Sequence, residues 1–236
     1  MLSRNDMRCL IVSLAVAAAG CYNGYPTLPP QLAEGTTVLA PGSVSLNVAG
    51  GAGVAAFPDT TGKTTTQFEA GFEARLRTGL GAKSEIGASV FGGAGTSVAN
   101  GDPPFALGGK LSYKVAPVPW FAIVADGGAM DFRVSSTAVF SGDLAVVFAP
   151  YTSPDGKQLY LGAKGAFTIP VLQGATATGE SIVVPIGFDI PTSKRVRFIV
   201  EAGPIFGFGQ QSTSGGSLST NGYGGYGTVA FTFLLR

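Results

Sequence analysis

"QFEAGFEARLR", residues 67–77, sets Phe68, Ala70, Phe72, Ala74 and Leu76 on one parity and Glu69, Glu73, Arg75 and Arg77 on the other. Successive side chains of a strand point to opposite faces, so the stretch is one apolar surface backed by one charged surface. If the apolar surface meets other apolar side chains, the strand belongs to an ordinary soluble sheet. If it meets lipid, the charges line an interior.

The same phrase recurs from about residue 43 to the end of the chain, as runs of alternating residues each followed by a turn cluster. Ten strands are expected, near 43–56, 65–78, 84–95, 105–115, 119–130, 137–149, 158–169, 180–190, 195–209 and 223–235. Val44, Leu46 and Val48 oppose Ser43, Ser45 and Asn47, and Val229, Phe231, Phe233 and Leu235 oppose Thr228, Ala230 and Thr232. Only "WFAIVADGGAM" is apolar on both faces at its start. No helical period competes in this region. The connections alternate as well. "GLGAKS", "APVP", "PYTSPDGKQ" and "PTSKR" are mostly short, whereas "FPDTTGKTTT", "GTSVANGDPP", "VLQGATATGE" and "QQSTSGGSLSTNG" are long and rich in Gly, Ser and Thr. Short turns on one rim and long loops on the other are the habit of outer-membrane barrels.

Charge decides between lipid and water. Glu69, Glu73, Arg75, Arg77, Glu85, Lys110, Lys114, Asp126, Asp143, Lys164, Asp189, Arg197 and Glu201 all fall opposite the apolar stripe. A lipid-facing Lys or Arg costs about 2–4 kcal/mol at the bilayer midplane, so the absence of charge from the stripe is what a spanning barrel requires. These are seven acids and six bases, a near balance that suits a lumen in which buried charges are paired. Charged residues make up 12% of the chain, about half the usual share for a soluble domain. The expected fold is therefore all-β, an antiparallel up-and-down transmembrane β-barrel of about ten strands. The alternative is a periplasmic, lipid-anchored soluble barrel, lipocalin-like, with the stripe turned inward around an apolar ligand. Phe57, Phe68, Tyr113, Trp120, Phe148, Tyr160, Phe206 and Tyr223, near strand ends, are candidates for interfacial girdles.

The chain opens "MLSRNDMRCLIVSLAVAAAGCYNG": Arg4 and Arg8, then an apolar run from Cys9 to Gly20, then Cys21. That run is too short to span a bilayer, which takes roughly 20 residues in a helix, and it reads as an export signal. The tetrad Ala18-Ala19-Gly20-Cys21 resembles the lipobox of bacterial lipoproteins, which implies cleavage before Cys21 and a covalent lipid of the palmitate type on its thiol. An ordinary cleaved signal is the other reading. With Cys9 removed, Cys21 is the single remaining cysteine, so no intrachain disulfide forms. Tyr22 after the cysteine, by resemblance to lipoprotein sorting in enteric bacteria, implies the outer membrane. Residues 1–20 are then the signal, 21–42 an acylated, Pro-rich tether, and 43–236 the barrel domain.

"TTVLAPGSVSLNVAGGAGV" and "FEARLRTGLGAKSEIGASVFGG" resemble segments of small Gram-negative outer-membrane β-barrel proteins, in which a Gly-Leu-Gly hairpin often joins two spanning strands. The resemblance covers most of residues 36–236 as a pattern. It implies fold, outer-membrane lipid around the barrel, and the barrel-insertion and lipoprotein-sorting machineries as partners, but no activity. Such chains usually finish on an aromatic residue, whereas this one ends "FTFLLR".

Candidate chemistry is sparse. The chain has no histidine, which excludes Ser-His catalysis and the usual zinc sites. "TTGKTT" resembles the end of a phosphate-binding loop, but Phe57 stands where the first Gly belongs. Glu69, Glu73 and Glu201 share their face with Arg75, Arg77 and Arg197, so ion pairing explains them better than glycosidase chemistry. With Lys110 and Lys114 these eight are the lumen ion-pair candidates, and Cys21 is the lipidation site. No catalytic residue, metal site or cofactor beyond that lipid is expected, the net charge of +1 gives no footprint for nucleic acid, and the expected role is structural, surface-interactive, or passage of small solutes.

Overall fold

The computed structural model describes residues 34–58, 64–95, 105–132, 137–170, 176–213 and 216–235. Its strands are β1 (Val44–Pro58), β2 (Thr64–Gly81), β3 (Ser84–Gly95), β4 (Phe105–Val118), β5 (Phe121–Phe132), β6 (Thr137–Thr152), β7 (Gln158–Pro170), β8 (Thr176–Val183), β9 (Ile186–Pro191), β10 (Val196–Thr213) and β11 (Gly216–Leu234). Neighbours along the chain pair antiparallel from β1 to β8, and β10 pairs β11. β8 and β9 lie end to end between β7 and β10, and β11 returns to β1. Eleven segments thus form ten staves of a closed antiparallel barrel, with no helix among the described residues. Closure removes both sheet edges.

The gap between β8 and β9 falls at Val184-Pro185, because proline has no N–H to give to the ladder. The wall stays joined there: Val184 donates its N–H to the Pro204 carbonyl at 3.1 Å, and Gly162 donates to the Pro185 carbonyl at 2.8 Å. Parity runs through unbroken, with Ile182, Val184, Ile186 and Phe188 outside and Val183, Pro185, Gly187 and Asp189 inside. The single strand expected near 180–190 is therefore a proline-interrupted one that begins at Thr176. The expected long loop at 210–222 is also mostly strand, since β10 and β11 stay paired as far as Thr213 and Gly216. Hydropathy gives no alternation in that polar stretch, yet the pairing is carried by backbone groups that Ser and Thr do not obstruct.

Phe68, Phe72 and Leu76 are 61, 47 and 51% exposed on the outer wall, while Glu73, Arg75 and Arg77 are 3, 4 and 8% exposed on the inner one. The same division holds in β11, where Val229, Phe231 and Phe233 point out and Thr228, Ala230 and Thr232 point in. β5, although apolar on both faces at its start, turns Ala122, Val124 and Asp126 inward, the phase that Asp126 implies. Gly92, opposite Phe72 on the outer wall, leaves room for that ring, which lies 3.0 Å from where a Cβ would stand.

Of the aromatic residues expected at interfaces, Phe68, Tyr113, Trp120, Phe148, Phe206 and Tyr223 are exposed. Trp120, Phe121 and Phe148 make a group near the short-turn rim, with ring centroids 4.9 Å apart for Phe121–Phe148 and 6.4 Å for Trp120–Phe148. Tyr160 departs from the expectation: it is fully buried in the lumen, where its hydroxyl has a partner. The side chain of Phe57 lies outside the described set. At the short-turn rim, Ser153 and Lys157 close a turn over Pro154-Asp155-Gly156, with Gly156 at φ 82°, a left-handed conformation that glycine takes without strain.

Closure rests on the pairing of the first and last strands, in which Leu46 lies opposite Phe233. In a Cys21→Ala background, Leu46→Cys with Phe233→Cys should oxidise to an intrachain disulfide, since directly opposed residues stand about 4.5–5.5 Å apart at Cα. Leu46→Cys with Val229→Cys, four residues out of register, should not. A shift in non-reducing gel mobility for the second pair and not the first would contradict this seam.

Candidate functional site

β2 carries Glu73, Arg75 and Arg77 at successive inward positions, β3 carries Glu85, β4 carries Lys110 and Lys114, and β5 carries Asp126. These side chains meet in one connected network. Arg75 reaches Glu73 at 2.9 Å and Asp126 at 3.4 Å, Lys110 reaches Asp126 at 2.9 Å and Glu73 at 3.6 Å, and Arg77 reaches Glu85 at 3.0 Å. Glycine makes the reach possible: Gly87 lies between Arg77 and Ser112, and a Cβ there would stand 3.1 Å from the Arg77 stem.

One member of the network comes from outside the wall. Residues 34–39 run inside the barrel at its short-turn end, and Glu34 is 3% exposed. Its Oε1 accepts from Arg75 Nη1 at 2.6 Å, and its Oε2 accepts from Arg77 Nη1 at 3.0 Å and Lys114 Nζ at 2.9 Å. Lys114 Nζ also donates to the carbonyls of Gly35 and Thr37 at 2.7 and 2.8 Å, so all three of its protons are directed to this strap. Thr36 donates its hydroxyl to the Pro119 carbonyl at 2.7 Å and its N–H to Gln158 Oε1 at 3.2 Å. Leu39 donates its N–H to Glu85 Oε2 at 2.8 Å. Gly35 lets the strap come close to Gln158, whose Oε1 lies 2.5 Å from where a Cβ would stand and would have to shift for a larger residue. The wall contributes Arg75, Arg77, Lys110 and Lys114 in direct contact with Glu73, Glu85 and Asp126, and Glu34 is the acid that the strap adds to this network.

Another part of the lumen is apolar. Ala49, Ala116, Ala122, Val124, Ala145, Val147, Tyr160, Ile199 and Ala230 form one buried cluster, and Val38 of the strap packs against it. The strap therefore matches its surroundings on both sides, with Glu34 toward the charges and Val38 toward the cluster.

The remaining sequence-derived candidates lie elsewhere in the lumen. Arg197 pairs with Asp189 at 2.7 Å and donates Nη2 to the Gly156 carbonyl at 2.9 Å, and Lys164 pairs with Asp143 at 3.0 Å. Glu201 is buried and accepts from the hydroxyls of Tyr160 and Tyr226, each at 2.8 Å. Glu69 is buried on β2 above Glu73. Glu69, Glu73 and Glu201 do not converge as a carboxylate pair on one point: Glu73 belongs to the network and Glu201 to the tyrosines. Cys21 lies outside the described residues. Among those described, no cluster of three or more His, Cys, Asp or Glu is placed to hold a metal ion.

Sequence reasoning missed Glu34, which stands in "QLAEGTT", a stretch without strand period. No charge surplus marks it in advance, since β2–β5 turn Glu69, Glu73, Glu85 and Asp126 inward against Arg75, Arg77, Lys110 and Lys114. Burial pushes the Glu34 carboxyl up, but Lys114, Arg75 and Arg77 outweigh it and hold it at about 2, below its ordinary 4.5.

No protein family model and no curated protein matches the chain. Among solved structures it is similar to the outer membrane protease OmpT from Escherichia coli, at 11% identity over 85% of this chain and 100% of that one, with a TM-score of 0.39. It is likewise similar to a deltaS2 mutant of the TodX monoaromatic hydrocarbon channel, at 8% identity over 93% of this chain and 97% of that one, TM-score 0.36. The toluene transporter TbuX from Ralstonia pickettii is 9% identical over 93% of this chain and 97% of that one, TM-score 0.34.

Replacing Arg75 by Ala removes the common partner of Glu34, Glu73 and Asp126. It should cost about 3–5 kcal/mol, the usual penalty for orphaning a buried charge, and an unchanged melting temperature in detergent would refute the network. Glu34 also predicts a pH dependence. Because its folded pKa lies below its ordinary one, its contribution is complete above about pH 4.5 and is lost as pH falls towards 2. The stability advantage of the native chain over Glu34→Gln should be flat above pH 5 and shrink between about 4.5 and 2. Urea unfolding at a series of pH values measures it, and an advantage that grows on acidification would reverse the sign.

Proposed function

We propose that this chain is an outer-membrane β-barrel lipoprotein of a Gram-negative bacterium, whose strands span the bilayer and whose N-terminus is held by a lipid on Cys21. Its role is structural or interactive, exerted through the long-loop rim, rather than enzymatic or freely conducting. The observation that carries the reading is the division of polarity: the outer wall is predominantly apolar and, among the described residues, the ionised side chains of the strands point into the lumen except Glu180, which shares the outward parity of Ile182 on β8. The staves are long enough to cross, since a spanning strand needs about 9–11 residues and β1, β2, β10 and β11 have 15, 18, 18 and 19. The aromatic group of exposed Trp120 and Phe148 with half-buried Phe121 stands where an interfacial girdle would. A soluble barrel around an apolar ligand needs the opposite polarity, so this division speaks against the lipocalin-like alternative.

Open conduction fits poorly with the strap. Glu34, held by three cations, and Val38, packed on the apolar cluster, occupy the short-turn end of the lumen together. The segments proposed to meet a partner are then the Gly/Ser/Thr-rich connections of the other rim, which lie largely outside the described residues.

Membrane retention tests the reading. The Cys21→Ala variant, carried by an ordinary cleaved signal, should stay in the pellet after alkaline extraction of membranes, because the strands hold it without acyl chains. Phe231→Arg places a charge on the outer wall at a cost of about 2–4 kcal/mol if that wall meets lipid, and should lower the amount of assembled protein. Release of folded Cys21→Ala protein into the supernatant would replace this reading with a soluble barrel.

A further inference from the structure

We propose that Arg75, Arg77 and Lys114 form a carboxylate-binding site in the lumen, that Glu34 of the chain's own strap is its resident occupant, and that a small free carboxylate takes the site when the Glu34 side chain is absent. Both oxygens of the occupant are used, one by Arg75 at 2.6 Å and the other by Arg77 and Lys114 at 3.0 and 2.9 Å. The three cations come from two non-adjacent strands, β2 and β4, and converge from different directions on a single group. Their side chains are 5, 8 and 3% exposed, so little water is available to replace the anion.

Charge makes the site a demand as well as a shape. Without Glu34, Lys114 keeps only Glu85, at 3.9 Å, and Arg77 holds that same carboxylate at 3.0 Å, so the seat is one counter-charge short in a dehydrated place. Glu85 faces the seat from β3, and Glu73 and Asp126 already answer to Arg75 and Lys110, so none of these acids is free to supply it. Uncompensated buried charge is costly, and an anion from solution is the available remedy. Bidentate, charge-assisted geometry selects a planar carboxylate over a spherical halide. The chemical class is therefore a small organic monocarboxylate, for which acetate is the probe.

The full-length Glu34→Ala protein in detergent should melt below the native protein in sodium chloride, and sodium acetate at the same ionic strength should raise it back by about 2–4 °C with saturation. The native protein, whose seat is filled, should respond alike to the two salts, and adding Lys114→Gln to Glu34→Ala should abolish the acetate response. Equal effects of acetate and chloride on Glu34→Ala, or an equal acetate gain in the native protein, would overturn the site. If Glu34→Ala does not fold in chloride, the yield of refolded barrel becomes the readout: recovery specific to acetate supports the site, and equal failure in both salts overturns it.

Discussion

The structure depends on the rule that an ionised side chain placed in a barrel with an apolar outer wall has only the lumen to occupy, and there needs a counter-charge. Burying an unpaired carboxylate or guanidinium costs far more than a single contact returns, so the inward charges constrain one another. Arg75 answers to three acids on three different segments, and Glu34, Glu73 and Asp126 are each placed by that requirement. Breadth of pairing, rather than any single bond, lets four strands carry so much charge on one side.

That rule also explains why the lumen is divided into sectors. Pairing works best when charges are gathered: the largest group lies on β2–β5, smaller pairs stand at Lys164–Asp143 and Arg197–Asp189, and small and branched apolar residues such as Ala145, Val147 and Ala230 line other parts of the lumen. A segment entering such an interior must be two-faced, and residues 34–39 are: an acid at one end, a Gly where Gln158 and Asp189 approach, a Thr with two partners, and a Val toward the cluster. The apolar rings outside and the paired charges inside are separate solutions to one polarity problem, linked by the two-residue period of the strand.

Much of the barrel was legible because that period is simple. The parity of Glu69, Glu73, Arg75 and Arg77 placed them inside with no knowledge of neighbours, and the same reading put Asp126 inside although β5 begins apolar on both faces. What escaped has no period to read. Glu34 lies in irregular chain, and its importance arises from side chains 41 to 80 residues away. Tyr160 looked like an interfacial aromatic because it stands near a strand end, but its parity aims it at Glu201, and parity outranks position in a strand. The β10–β11 hairpin ran further than expected because Ser and Thr pair through their backbone without leaving a hydropathic trace.

The strap has a consequence for how the barrel chooses its register. Alternation forbids a slip of one residue between strands, since that would turn every charge outward, but a slip of two leaves inside and outside unchanged and costs hydropathy nothing. Glu34 is joined to β1 through residues 35–43, while Arg75 and Arg77 sit on β2, so sliding β1 by two residues along β2 would carry the carboxylate about 7 Å from its guanidinium partners. The strap thus acts as a vernier, a fine scale that distinguishes among registers the coarse pattern of greasy and polar residues treats as equal.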